Sequence, residues 1–435
     1  MKLWSKDNTA TRELVEQFTV GRDREFDLLL AEHDVAGSLA HTQMLESAGL
    51  LSPDERASIH RELHNILVDI RAGQFQIEPD AEDVHSQIES MLTHRIGEAG
   101  KKIHTGRSRN DHVAVDIKLY LRAELQEVKR AVADLFDLLL DLSERYRDHL
   151  LPGYTHLQIA MPSSFGLWLG AYAESLVDDM ETVAAAYRIV NKNPLGSGAG
   201  YGSSFPLDRQ LTTILLGFET LHFNAVYAQM SRGKTEKIVA QALSNLAATL
   251  GRLATDICLY LNQNFGFISF PPELTTGSSI MPHKKNPDVF ELIRARCNRI
   301  SATPNELALL MTNLPSGYHR DLQLTKEILF PAIESLKSCF RMMSYALPQI
   351  KVNEEILQDD KYQFLFSVDA VNQLVKAGLP FREAYREVGN RIEAGTFAFD
   401  KNDALQHTHE GSIGNLCNEE IRKEMNKVMN KIPAL

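Results

Sequence analysis

Residues 113–150 contain neither glycine nor proline. Along them Ile117, Leu121, Leu125, Val128, Val132, Leu135, Leu139, Leu142 and Tyr146 recur at steps of three and four residues. That spacing lays one apolar stripe down an α-helix. At 1.5 Å per residue such a helix is roughly 57 Å long. Pro152 and Gly153 are the expected stop. A stripe of this length cannot be buried in a small globule, so it demands other long helices beside it.

The rest of the chain supplies them. A second helix is expected over 162–192, opened by Pro162 and closed before Pro194. A third fits 235–263, where Val239, Leu243, Leu246, Leu250, Leu253, Ile257 and Tyr260 repeat the step. A fourth starts at Pro287, a favoured first helical position, and runs to about Leu310. A fifth covers 322–347, with Pro331 expected to kink it. Shorter helices fit 11–32, 36–48 and 53–72, and shorter ones return after 351, broken at "KAGLPFREA" and "EAGTF". No series of alternating strands stands out. The reading is an all-α chain of three domains: 1–105 an N-terminal helical domain, 106–350 a central long-helix bundle, and 351–435 a C-terminal helical domain. A lone bundle of this kind leaves apolar face wet, so an oligomer is expected.

Composition narrows the function. The chain has 435 residues, 44% hydrophobic and 24% charged, as a globular protein does. Its formal charge of −11 opposes broad nucleic-acid binding. Four widely spaced cysteines show no metal-binding spacing, and we read them as reduced thiols. The N-terminus lacks an apolar leader, and no apolar run approaches a membrane span. A cytoplasmic protein without membrane contact is expected.

The unusual residues gather between the long helices: "KKIHTGRSRNDH" (101–112), "LPGYTHLQIAMP" (151–162), "TTGSSIMPHKKNPD" (275–288) and "SGYHRDLQLTKE" (316–327). Arg107, Arg109, Lys284, Lys285 and Lys326 are cations suited to carboxylates. Ser108, Asn110, Thr155, Gln158, Asn286 and Gln323 are neutral donors, His156 is a proton carrier near neutral pH, and Ser278 and Ser279 are hydroxyls. Cations and hydroxyls without a carboxylate cage or a Cys/His set suggest an anionic substrate and no metal. The clusters near 105 and 155 lie at opposite ends of one long helix. A site that combines them needs a second subunit.

"GSSIMPHKKNP" closely resembles the signature loop of the fumarase/aspartase superfamily, GSSxMPxKxNP. "HTGRSRND", "GYTHLQ", "YHRDLQ" with Lys326, "ELIR" and "LPFREA" resemble the argininosuccinate lyase family within it, in the expected order from about 83 to 385. His112 stands where that family usually has Gln, and Ile159, Met161, Leu324 and Thr325 also depart from its pattern.

The resemblance implies a homotetramer of helical three-domain subunits, with active sites shared between chains. It implies a reversible β-elimination of argininosuccinate to arginine and fumarate, the last step of arginine biosynthesis, with no cofactor. Ser278 is then the general base, its alkoxide held by Lys284 and loop N–H groups. His156 is the general acid and Glu291 its partner, while Lys284 and Asn286 hold the substrate carboxylate. Ser108, Arg109, Asn110 and Thr155 bind the succinate side. Tyr318, Gln323 and Lys326 bind the arginine side. The 275–288 loop is expected to close over substrate, Gly277 permitting the swing.

Other readings stand beside these. Another fumarate-releasing lyase, of adenylosuccinate or aspartate type, is the nearest alternative, and a non-enzymatic, crystallin-like protein on the same scaffold is a further one. Lys285 reads as a solvated lysine, and Arg107 equally as a scaffold or a ligand group. "GSGAGYGSS" (196–204) reads as a close-packed turn rather than a phosphate cradle, and His60 and His64 as a solvated helix face.

Overall fold

The long stripe forms helix α1, Arg109–Arg145, in a computed structural model that describes residues 9–400 and 407–434. Eight stripe residues, from Ile117 to Leu142, are at most 1% exposed. The helix starts earlier than its apolar pattern because Ser108 caps it. The Ser108 hydroxyl accepts from the Asn110 N–H, and the Asp111 carboxylate accepts from the Ser108 N–H at 2.9 Å.

After α1 the chain departs from expectation. It forms an antiparallel hairpin of strands β1, Leu150–Thr155, and β2, Gln158–Ser164. Pro162 therefore lies in β2 opposite Pro152, and does not open a helix. Helix α2 begins at Phe165 and runs to Val190, capped by the Ser164 hydroxyl, which accepts from the Leu167 N–H. Then come α3, Lys234–Leu261, α4, Asp288–Leu310, and α5, Thr325–Ala346. Pro287 sits at the cap of α4, one residue before the position expected for it, and Pro304 and Pro331 lie inside α4 and α5. Each helix packs on the next, and α5 returns to α1, so the five close into one bundle. A single apolar core runs through them.

The N-terminal helices Ala31–Ser47, Pro53–Arg71 and Val84–Ile96 share a second core around Val35, Met44, Leu45, Ile59 and Ile88. The helix expected over 11–32 is interrupted. It ends at Val20, Gly21 turns with φ +51°, and a short helix Asp23–Asp27 follows. That break aims Asp23 and Asp27 at the bundle. In the C-terminal region Ser367–Lys376 and Phe381–Glu393 pack on each other, while Asn418–Met429 returns to the bundle core through Ile421, Met425 and Val428. No helix among the described residues is long and apolar enough to cross a membrane. The opening residues 1–8, read above for a leader, lie outside the described residues.

Candidate active site

The sequence-predicted residues form two groups, one at each end of the bundle. At the start of α1, Arg109, Asn110, Tyr318, Gln323 and Lys326 line one cavity of about 210 Å³. Ser108 stands beside it as the helix cap. Charged side chains outside the predicted set share the lining, among them Asp23, Asp27, Glu82, Asp83, Arg232 and Arg320.

Every charge here has an opposite charge against it. The Arg109 guanidinium donates to Glu82 at 2.9 Å and to Ser86 at 2.8 Å, and lies 3.3 Å from Asp83. Arg320 reaches Glu82 at 3.2 Å, and its Nε donates to Gln323, whose amide donates to the Thr19 carbonyl. The Lys326 ammonium is 3% exposed and is gripped by Asp23 at 2.6 Å and Asp27 at 2.5 Å. Burial alone would lower its pKa, but the Asp27 and Asp23 carboxylates outweigh that and raise it. Burial pushes the Asp23 carboxyl up to about 6, against the pull of Lys326. Acidic groups therefore do surround Lys326 despite Leu324 and Thr325, and they come from the segment that follows Gly21.

Behind this cavity Asp111 does a second job. Its other carboxylate oxygen accepts from the Gly196 and Gly198 N–H groups at 3.0 and 2.9 Å. The glycine-rich turn thus spends its amides on a buried carboxylate, as a close-packed turn rather than a phosphate cradle. Arg107 is buried and donates to the Ser38 hydroxyl at 3.0 Å, away from the cavity, which makes it scaffold. His60 is tied to Thr42 rather than wholly solvated.

His156, Thr155, Ser278, Lys284, Asn286 and Glu291 lie at the other end. Thr155 and Gln158 are paired across the hairpin, leaving His156 and Leu157 as its two-residue tip. Both have positive φ, 53° and 56°, the geometry a tight hairpin turn requires. Neither is the Gly or Asn that adopts it easily. The tip holds its place because Tyr154 is anchored: its hydroxyl lies 3.2 Å from that of Tyr362, and its ring packs on Phe265 and Phe267. His156 is solvent-exposed.

The 275–288 segment is a small ribbon. Thr276 and Gly277 pair with Asn286 and Lys285, and residues 278–284 form its tip. The Ser278 hydroxyl oxygen accepts from the N–H groups of Ile280 and Met281, at 3.3 and 3.1 Å. They aim two backbone dipoles at one oxygen. Asn286 donates to Thr276, which also bonds Asp288. Glu291 is half-exposed one turn into α4, 3.8 Å from Arg294. Among the described residues no hydrogen bond or ion pair joins His156, Ser278 and Glu291.

The 37 residues of α1 separate Ser108 from the hairpin, a distance of about 55 Å. One chain therefore holds a charged cavity at one end and the hairpin and ribbon that carry His156 and Ser278 at the other.

Comparison with known proteins gives this arrangement its kin. Residues 7–302 match the model of a family described as Lyase. An argininosuccinate lyase of Bacteroides fragilis is 59% identical over 428 residues, covering 98% of this chain and 95% of that protein. Another, of Thermotoga neapolitana, is 40% identical over 390 residues, covering 90% of this chain and 98% of that one. Among solved structures, an EDDS lyase in complex with formate shares the fold, with a TM-score of 0.76 at 22% identity over 95% of this chain and 90% of that one. Identity sustained across nearly the whole length, through both ends of the bundle, makes the chain a member of the argininosuccinate lyase family.

Proposed function

We propose that this enzyme cleaves argininosuccinate to arginine and fumarate by β-elimination, in sites built from opposite ends of different subunits of a homotetramer. Ser278 removes a proton from the succinyl carbon next to a carboxylate. The electron pair moves into that carboxylate, and Lys284 and Asn286 take up its second charge. The carbon–nitrogen bond then breaks, and His156 gives its proton to the departing guanidino nitrogen, with Glu291 favouring the charged imidazole. Thr155, Ser108, Arg109 and Asn110 hold the succinate side, and Tyr318, Gln323 and Lys326 the arginine side. No step draws on a cofactor.

The observation that carries this mechanism is the pair of N–H groups on Ser278. A serine hydroxyl is a base only if its alkoxide is stabilised, and two amide dipoles converging on the oxygen favour that form. The shared site is supported by the length of α1, and the division at 105 by the separate N-terminal core; after 350 the helices Ser367–Lys376 and Phe381–Glu393 have a core of their own, while Asn418–Met429 joins the bundle. All four cysteines are free, which fits a cytoplasmic setting.

The test is turnover. Purified protein is incubated with argininosuccinate, adenylosuccinate, aspartate or malate, and fumarate absorbance and arginine release are followed. Fumarate and arginine are expected in equal amounts from the first alone. Fumarate only from adenylosuccinate overturns the substrate, and no turnover of any compound leaves a structural protein. Ser278→Ala lowers kcat by about 100-fold or more with KM little changed; near-normal turnover removes Ser278 as the base.

A further inference from the structure

Beneath the charged cavity, three helices bring four ionisable side chains together. Asp34 comes from Ala31–Ser47, His85 from Val84–Ile96, and His112 and Asp116 from α1, where their i, i+4 spacing puts both on one face. All four are buried, and one donor atom from each lies within 4.8 Å of the others. His112 Nε2 is 2.9 Å from an Asp34 oxygen, and His85 Nδ1 is 3.5 Å from an Asp116 oxygen. His85 Nδ1 also meets the same Asp34 oxygen.

Two features of this cluster call for a further ligand. Both Asp116 oxygens and the Nδ1 of His112 lack a hydrogen-bond partner, although the two residues are 0% and 5% exposed. Buried polar atoms without partners are uncommon and mark a missing ion, water or proton. The second feature is charge. Asp34, Asp111 and Asp116 surround the single guanidinium of Arg107. Three carboxylates against one guanidinium leave two negative charges, which either one divalent cation or two protons, on His85 and Asp116, remove.

We propose that Asp34, His85, His112 and Asp116 form a closed four-ligand site for a divalent transition-metal cation, zinc being the case the donors fit best. Two imidazole nitrogens and two carboxylate oxygens suit tetrahedral zinc. Ligands at the usual zinc distances stand about 3.3 Å apart in a tetrahedron, between the 2.9 and 3.5 Å separations found here. The His85–Asp34 contact must open, and the wider separations within the 4.8 Å cluster must close. The outer shell is in place: Ser38 donates to Asp34, and Arg107 donates to Ser38. With four protein ligands the site has no open position, so its role is structural. It ties two N-terminal helices to the first turns of α1, just below Arg109 and Asn110. His85 also lines the charged cavity, so the metal fixes one wall of it.

The experiment is zinc binding by the full-length protein. Protein stripped with a chelator is titrated with zinc chloride, and retained zinc is measured by mass spectrometry after desalting. One zinc per subunit is expected, with a higher thermal midpoint than the stripped protein. His112→Gln, which installs the residue usual in the family, and Asp116→Asn are each expected to cut zinc retention by about tenfold or more. Circular dichroism of His112→Gln checks that the fold persists. Absence of stoichiometric zinc in the parent protein overturns the site. So does zinc retained equally by both variants, which assigns the metal to other histidines or thiols. In either case two protons, on His85 and Asp116, balance the cluster instead.

Discussion

Two inactive variants of this enzyme will rescue each other if its sites join opposite ends of different subunits. Ser278→Ala removes the proposed base at one end. Asn110→Leu blocks the other: it replaces a cavity-lining donor with a bulkier apolar group in a space of about 210 Å³, without leaving a charge unpaired. Each variant alone lacks one half in every site. Mixed in equal amounts through unfolding and reassembly, a site takes its Ser278 end and its Asn110 end from different chains. Each end is intact with a chance of one half, so about one quarter of the sites regain both, and activity returns to about one quarter of the parent value. The assay is fumarate formation after co-refolding, with each variant refolded alone as control. Activity no greater than the sum of the controls refutes the reasoning, because it means one chain supplies both ends.

Three further outcomes follow from the geometry. Lys326→Met strands Asp23 and Asp27 in the interior without their counter-ion, and will destabilise the protein by about 3–5 kcal/mol in urea unfolding. Burial lowers the pKa of His33 to about 4 and of His41 and His222 to about 3. Below pH 6.5 the unfolded chain therefore binds protons that the folded one refuses. The contribution of these three histidines is full above that pH and falls by about 1.4 kcal/mol per unit for each as pH drops toward 4, measurable by denaturant titration across that range. A Cβ at Gly153 would lie 2.7 Å from the Met161 carbonyl oxygen; Gly153→Ala will distort the hairpin, lower the melting temperature by an amount worth about 1–3 kcal/mol, and reduce kcat more than it changes KM.

The bundle was legible because its helices bury continuous stripes, and a stripe such as Ile117 to Leu142 survives in the sequence as a bare periodicity. The hairpin was not. Residues 150–164 lack alternation, carry two prolines, and turn at His156–Leu157 without Gly or Asn. Their conformation is held by Tyr362, Phe265 and Phe267, contacts distant in sequence. The cavity was half legible. Its cations and amides lie in dense polar links and were found there, but Asp23 and Asp27 sat in a stretch whose periodicity ran across Gly21. The buried histidine–aspartate cluster draws on three separate helices, with only His112 and Asp116 close in sequence, so no motif announced it.

The span of α1 has one more consequence. On the proposed shared-site mechanism, a solitary copy carries its grip at one pole and its acid and base at the other, and is chemically inert however well folded. Specific activity therefore depends on how much protein is in solution: on progressive dilution it decays once copies part, while helicity persists.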